Sequence, residues 1–210
     1  MRKEDFWLFV LKSLLAGFMI GVGGLAYIVT GSPLVFPIGL LIVCLYDLRL
    51  FTGKICYRMY SIPAYIAMYM LNGIGAAIFG LLSRIARPDL ISKAAEICDG
   101  KLLESMPRLA VLSILCNLMI FLAVDTFAVY VHTKEFYSSP GILSIIVLIF
   151  STSIFVMCGF EHCIANIFYF AFAGVATTFK FLVVNALFNA IGGILFGYAF
   201  RTAGWNVEGV

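Results

Sequence analysis

The stretch Gly159-Phe160-Glu161-His162-Cys163-Ile164-Ala165-Asn166 sets a carboxyl beside an imidazole between two apolar runs, 144–158 and 167–175. Ionisable side chains at that depth of a hydrophobic segment are costly, and they mark ion or proton pathways rather than lipid-facing surface. Glycine followed by polar residues also points to a helix broken near the bilayer midplane, which is how many carriers build a substrate site. The ordinary pKa of histidine, about 6.5, lies close to physiological pH. His162 is therefore the candidate for handling a proton or for offering a neutral hydrogen bond. One histidine and one adjacent glutamate make neither a metal set nor a triad, so no cofactor, metal or enzymatic chemistry is expected. The chemistry to expect is passage of a small charged solute.

The elements that must hold these residues are membrane spans. Of 210 residues, 63% are apolar and 12% charged, with a mean hydropathy of +1.06. That composition excludes an ordinary soluble domain. The net charge of +3 is scattered without a basic block, so nucleic acid is not an expected partner. Cys44, Cys116, Cys158 and Cys163 lie in or beside apolar runs and read as small buried residues. The run after the charged start, Met1 to Asp5, reads as a retained first span rather than a signal peptide.

Six crossings are expected of this all-α chain, forming one integral membrane domain over 1–210. The first is 6–30, ended by Gly31-Ser32-Pro33. The second starts near Pro33, is interrupted over Asp47 to Lys54, and resumes briefly to Ser61. The third is 62–82, and a polar link over 83–104 follows it. The fourth is 105–131, with Ser105 as N-cap and Pro107 in the first turn. The fifth starts near Pro140 and breaks at Gly159 to His162, and the sixth is about 179–200. Asp125, Tyr130, His132 and Lys134 read as interfacial, and Asp47 reads as a local ion pair with Arg49.

Two interrupted spans, each second in a group of three, suggest a duplication with repeats at about 6–82 and 105–200. Asn72 to Gly80 (NGIGAAIFG) matches Asn189 to Gly197 (NAIGGILFG) at five of nine positions. Three spans per half require the halves to be inverted, which would set a selectivity site where the two broken helices meet.

The chain resembles the formate/nitrite transporter family. Gly159 to Asn166 looks like the family's fifth-span motif, and Leu50-Phe51-Thr52-Gly53 looks like its loop in the broken second span. Cys116-Asn117-Leu118-Met119 resembles its fourth span, and Asn189 with Gly192-Gly193 its sixth. The resemblance implies an aquaporin-like six-helix protomer, a homopentamer in the lipid bilayer, and a pore in each protomer. The expected solutes are small monovalent anions such as formate, nitrite or hydrosulfide, and the expected location is a bacterial inner (cytoplasmic) membrane. Carried over residue by residue, the resemblance implies a substrate pathway of His162, Asn117, Thr52 and Lys101. It implies apolar constrictions at Phe36, Leu40, Leu50, Phe51 and Phe155, with Glu161 as structural support. Arg49 and Lys54 depart from the family pattern, which usually has acidic or small residues before the loop and a small or amide residue after it.

In the mechanism these residues suggest, Lys101 draws an anion into a vestibule. Desolvation there raises the anion's basicity, a proton neutralises it, and the acid form crosses the constriction. His162 either supplies that proton or stays neutral and donates a hydrogen bond. Thr52 and Asn117 orient imidazole and solute, and Glu161 is either protonated or accepts the loop's unpaired N–H groups. The alternatives are a neutral-solute channel on the same plan and a non-transporting membrane scaffold.

Overall fold

The computed structural model describes residues 3–131 and 139–204, with side chains for 5–128 and 141–204. Tyr130, His132 and Lys134, expected at the interface, lie outside that description at the side-chain level. Among the described residues every regular element is helical: α1 Lys3–Thr30, α2 Pro37–Leu45, α3 Phe51–Lys54, α4 Ile62–Ala86, α5 Ile91–Leu102, α6 Met106–Val131, α7 Ser139–Met157, α8 Cys163–Ala173 and α9 Phe179–Thr202. Four of these, α1, α4, α6 and α9, are long and apolar enough to cross a membrane. Their outer faces suit hydrocarbon: on α4, Ile66, Met70, Ile74, Ile78 and Leu81 are all exposed.

The two interruptions fall where the polar residues sit. After α2 the chain turns through Asp47, at φ 44, and re-enters as the extended segment leading to α3. Aspartate tolerates the left-handed region better than most side chains. After α7 it turns through Gly159, at φ 66, and re-enters to start α8. The polar link is itself largely helical. α4 continues to Ala86, and α5 lies against α8, which carries Lys101 over the second break.

α1 packs closely on α4, and α6 on α9. The approach is closest where side chains are missing. A Cβ on Gly17 would collide with the carbonyl oxygen of Asn72, and one on Gly75 with that of Leu14. On α9 a Cβ at Gly192 would lie 2.6 Å from the carbonyl oxygen of Ile114. Backbone atoms cannot rotate aside as a side chain can, so the helices would have to separate. Gly17→Ala is expected to cost about 1–3 kcal/mol or more. A thermal midpoint in detergent equal to that of the unaltered protein would contradict this contact.

Candidate functional site

His162 and Thr52 come together from segments 110 residues apart. His162 is the N-cap of α8, in an extended conformation (φ −95, ψ 116), and its Nδ1 accepts the Ala165 backbone N–H at 3.2 Å. A nitrogen that accepts an N–H carries no proton, so the imidazole's hydrogen sits on Nε2. That atom lies 3.0 Å from the Thr52 Oγ1, to which it donates. Both side chains are buried, His162 being 2% exposed and Thr52 fully enclosed. The cap thus fixes the tautomer, and the tautomer fixes the direction of the hydrogen bond.

Each break leaves helix-initial N–H groups that cannot find water in a membrane. Asparagines supply the acceptors. Asn189 Oδ1 accepts from the Cys163 backbone N–H at 2.9 Å, while its Nδ2 donates to the carbonyls of Ser113 and Glu161. Asn72 Oδ1 accepts from Phe51 N–H at 2.7 Å, while its Nδ2 donates to the carbonyls of Ser13 and Arg49. Leu50, preceding α3, has nearly the backbone conformation of His162 (φ −88, ψ 125). Asn117 holds the first loop too, its Nδ2 donating to the Thr52 carbonyl at 3.0 Å. Its Oδ1 is buried and has no partner among the described residues.

Of the two roles expected of Glu161, acceptance of loop N–H groups is not seen among the described residues. Its two oxygens lie 3.0 and 2.8 Å from Lys101 Nζ, and the second also accepts from Asn166 Nδ2 at 2.7 Å. Asn185 joins this network, accepting from Asn166 and donating to Ser113 Oγ and the Glu161 carbonyl. Lys101, 14% exposed at the side chain, is therefore present at the site as one half of an ion pair.

A cavity of about 270 Å³ opens onto His162, and its wall includes Lys101, Glu104, Glu161, Phe36 and Phe155. The Phe155 ring lies over the imidazole, with centroids 5.9 Å apart and planes at 23°, and Phe36 meets Phe155 edge-on at 5.2 Å. A second cavity of about 250 Å³ lies at the first break and is lined by Leu50, Gly53, Lys54, Tyr57 and Asp47 among others. The polar pair and the apolar side chains Phe36, Phe155 and Leu50 thus lie at or between the two cavities. Leu40 and Phe51, expected as constrictions, are buried but line neither cavity, and the Phe51 ring packs on Tyr65 and Tyr69.

The expected Asp47–Arg49 pair does not form. Asp47 bridges Lys12 at 2.9 Å and Lys54 at 3.0 Å, whereas Arg49 lies over the rings of Phe9 and Tyr60. The re-entrant backbone points the two neighbours in different directions. Asp125, expected at the interface, is buried and accepts from the Tyr57 hydroxyl at 2.9 Å.

A formate/nitrite transporter family model matches residues 2–203. The chain belongs to the formate/nitrite transporter family. It is an integral membrane transport protein, not an enzyme. Among curated relatives, the formate channel BtFdhC of Bacillus thuringiensis is 30% identical over 200 aligned positions, covering 85% of this chain and 73% of the relative. A probable formate transporter of Methanothermobacter thermautotrophicus is 27% identical over 240 positions, covering 89% and 85%. A solved pentameric formate channel with formate bound shares the fold, with TM-score 0.77, 22% identity and 98% of both chains covered. An ion channel of the same family gives TM-score 0.73 at 22% identity, covering 94% of this chain and 88% of the other.

In this formate/nitrite transporter, sequence reasoning missed the capping work of Asn72 and Asn189 and the bridging of Asn185. The signal for the first two was present in the duplicated Asn-x-Ile-Gly segment. Asparagine in an apolar helix needs partners, and two unpaired helix starts were already predicted.

Proposed function

We propose that the protein is a channel for small monovalent anions of the formate type, built from two inverted three-helix repeats and assembled as a homopentamer in a bacterial inner membrane. The two repeats would supply the six crossings of an aquaporin-like protomer. One observation carries the reading: a buried His162–Thr52 pair, walled by phenylalanines, between two cavities at the facing breaks. The repeats are supported by the matched pairs Asn72 and Asn189, Leu50 and His162, and the acceptor carbonyls of Ser13 and Ser113. The pentamer and formate come from the relatives' descriptions.

An anion entering from the Lys101 side meets a paired lysine, then the aromatic wall. Losing water raises its affinity for a proton, and its neutral acid form passes the apolar stretch. His162 Nε2–H and Thr52 Oγ1 form one polar edge of that passage. The unpaired Asn117 Oδ1 supplies an acceptor for an acid O–H. The neutral imidazole binds and orients, while the proton comes from water through the solute itself. Nitrite and hydrosulfide, also small weak acids, fit the same passage.

Stopped-flow flux of formate, nitrite, hydrosulfide and acetate into proteoliposomes at pH 5 to 8 tests this. Above the pKa of a weak acid its neutral fraction falls about tenfold per pH unit, so flux should rise steeply as pH falls. Flux that ignored pH while urea or water passed freely would favour a neutral-solute channel. No flux of any solute through a folded oligomer would leave only a scaffold.

A further inference from the structure

The two cavity mouths differ in charge. At the His162-side cavity the charged lining residues are Lys101, Glu104 and Glu161, so the lysine is outnumbered and its ammonium is held by both oxygens of Glu161. Glu104 pairs in turn with Arg108 at 2.9 Å. At the other cavity the charged lining residues are Asp47 and Lys54, 3.0 Å apart, and Asp47 is shared with Lys12, which is outside the lining, at 2.9 Å. One carboxylate balances one of the two ammoniums. The cluster therefore carries a surplus positive charge, and each ammonium has three donors of which Asp47 occupies one.

Lys54 and Asp47 both line the cavity, and Leu50 is among its apolar lining residues. The Lys12 and Lys54 side chains are 24% and 27% exposed, so they face solvent without being fully hydrated. A partly desolvated cation pair sharing one counter-ion attracts a second anion, because like charges held together are relieved by it. We infer that Lys54, with Lys12, forms an anion subsite in this loop-side mouth, and that Asp47 acts there as the built-in competitor for a small monovalent anion. The subsite rests on the anion-channel reading for its purpose. It would load solute in the cavity that Leu50 lines, away from the one that Lys101 lines.

The test reads the mouth without transport. Met59 lines the same cavity and is 58% exposed, and the partly buried native Cys44 lines it too, so Met59→Cys in a Cys44→Ala, Cys158→Ser background places a single accessible reporter thiol there. Its reaction rates with an anionic sulfonate and a cationic trimethylammonium methanethiosulfonate of equal size give a ratio that reports local charge. A unit charge about 8 Å away in a water-like medium changes each rate about twofold, in opposite senses for the two reagents. Lys54→Asn should therefore lower the anionic-to-cationic ratio about fourfold, Asp47→Asn should raise it by a similar factor, and Lys54→Arg should leave it near its starting value. Sodium formate, against gluconate at equal ionic strength, should slow the anionic reagent, and should do so at lower concentration in Asp47→Asn.

An unchanged ratio in Lys54→Asn, or no formate protection in any variant, would overturn the subsite. Should Asp47→Asn lower the ratio, the cluster would be only a structural clasp, and the proposal would fall as well. Wild-type proteoliposome flux is read separately. Formate protection without flux would retain the subsite and remove the channel reading, whereas flux without protection would do the reverse.

Discussion

His162→Asn is expected to reduce formate flux about tenfold or more at pH 5 to 6, with the folded oligomer intact. Asparagine can still cap α8 through its side-chain oxygen, as His162 does through Nδ1. It is too short to reproduce both that cap and the 3.0 Å bond from Nε2 to Thr52. The passage then loses the imidazole that orients the Thr52 hydroxyl, whose own O–H is the pair's free donor, and Thr52 Oγ1 loses a buried partner. A lost hydrogen bond to a buried polar group costs about 1–3 kcal/mol, and 1.4 kcal/mol is a factor of ten in rate or binding. The slope of flux against pH should persist in the variant, because the proton is taken up by the solute and not from the ring. Equal flux in variant and wild type across pH 5 to 8 would remove the imidazole from the mechanism. A lost slope would make it the proton donor.

Asn189→Leu should be the more damaging change to the molecule itself. Leucine keeps the number and branching of the asparagine's heavy atoms, though its methyl groups are bulkier, and removes one acceptor and two donors at once. The Cys163 N–H, the first of α8, loses its only acceptor among the described residues. The Ser113 and Glu161 carbonyls each lose a donor, although Asn185 still reaches the second. No water is at hand in the apolar interior to replace these bonds. The expected loss is about 3 kcal/mol, most of it the cost of the stranded N–H. It should show as a thermal midpoint lowered by several degrees, with the His162 loop released from α9. Asn72→Leu should behave alike through Phe51 N–H and the carbonyls of Ser13 and Arg49. If Asn189→Leu melts with the wild type, the asparagines do not hold the breaks.

Much of this protein was legible from residues in a row. The apolar runs required membrane helices, because nothing else buries so much hydrocarbon with its backbone satisfied. Gly159, His162 and the Asp47 to Lys54 stretch marked both breaks, since a glycine followed by polar groups, or a run of charged ones, interrupts an apolar helix there. The motif around His162 and the Leu-Phe-Thr-Gly loop led to the family, which the match over residues 2–203 established. Local pattern was enough for these because each rests on neighbours along one chain segment.

Partner choice was decided only by the tertiary structure. Asp47 sits two residues from Arg49, yet the turn at φ 44 sends its carboxylate to Lys12 on α1 and to Lys54, while Arg49 stacks on Phe9 and Tyr60. Glu161 was expected either to be protonated or to serve the loop backbone. It meets Lys101 because the link over 83–104 is a helix docked on α8, and the loop amides go instead to asparagines on α4 and α9. The physical reason is common to both. A hydrogen bond or ion pair depends on distances of about 3 Å, which are set by how distant helices pack, and sequence spacing carries no information at that scale once the chain leaves its helix.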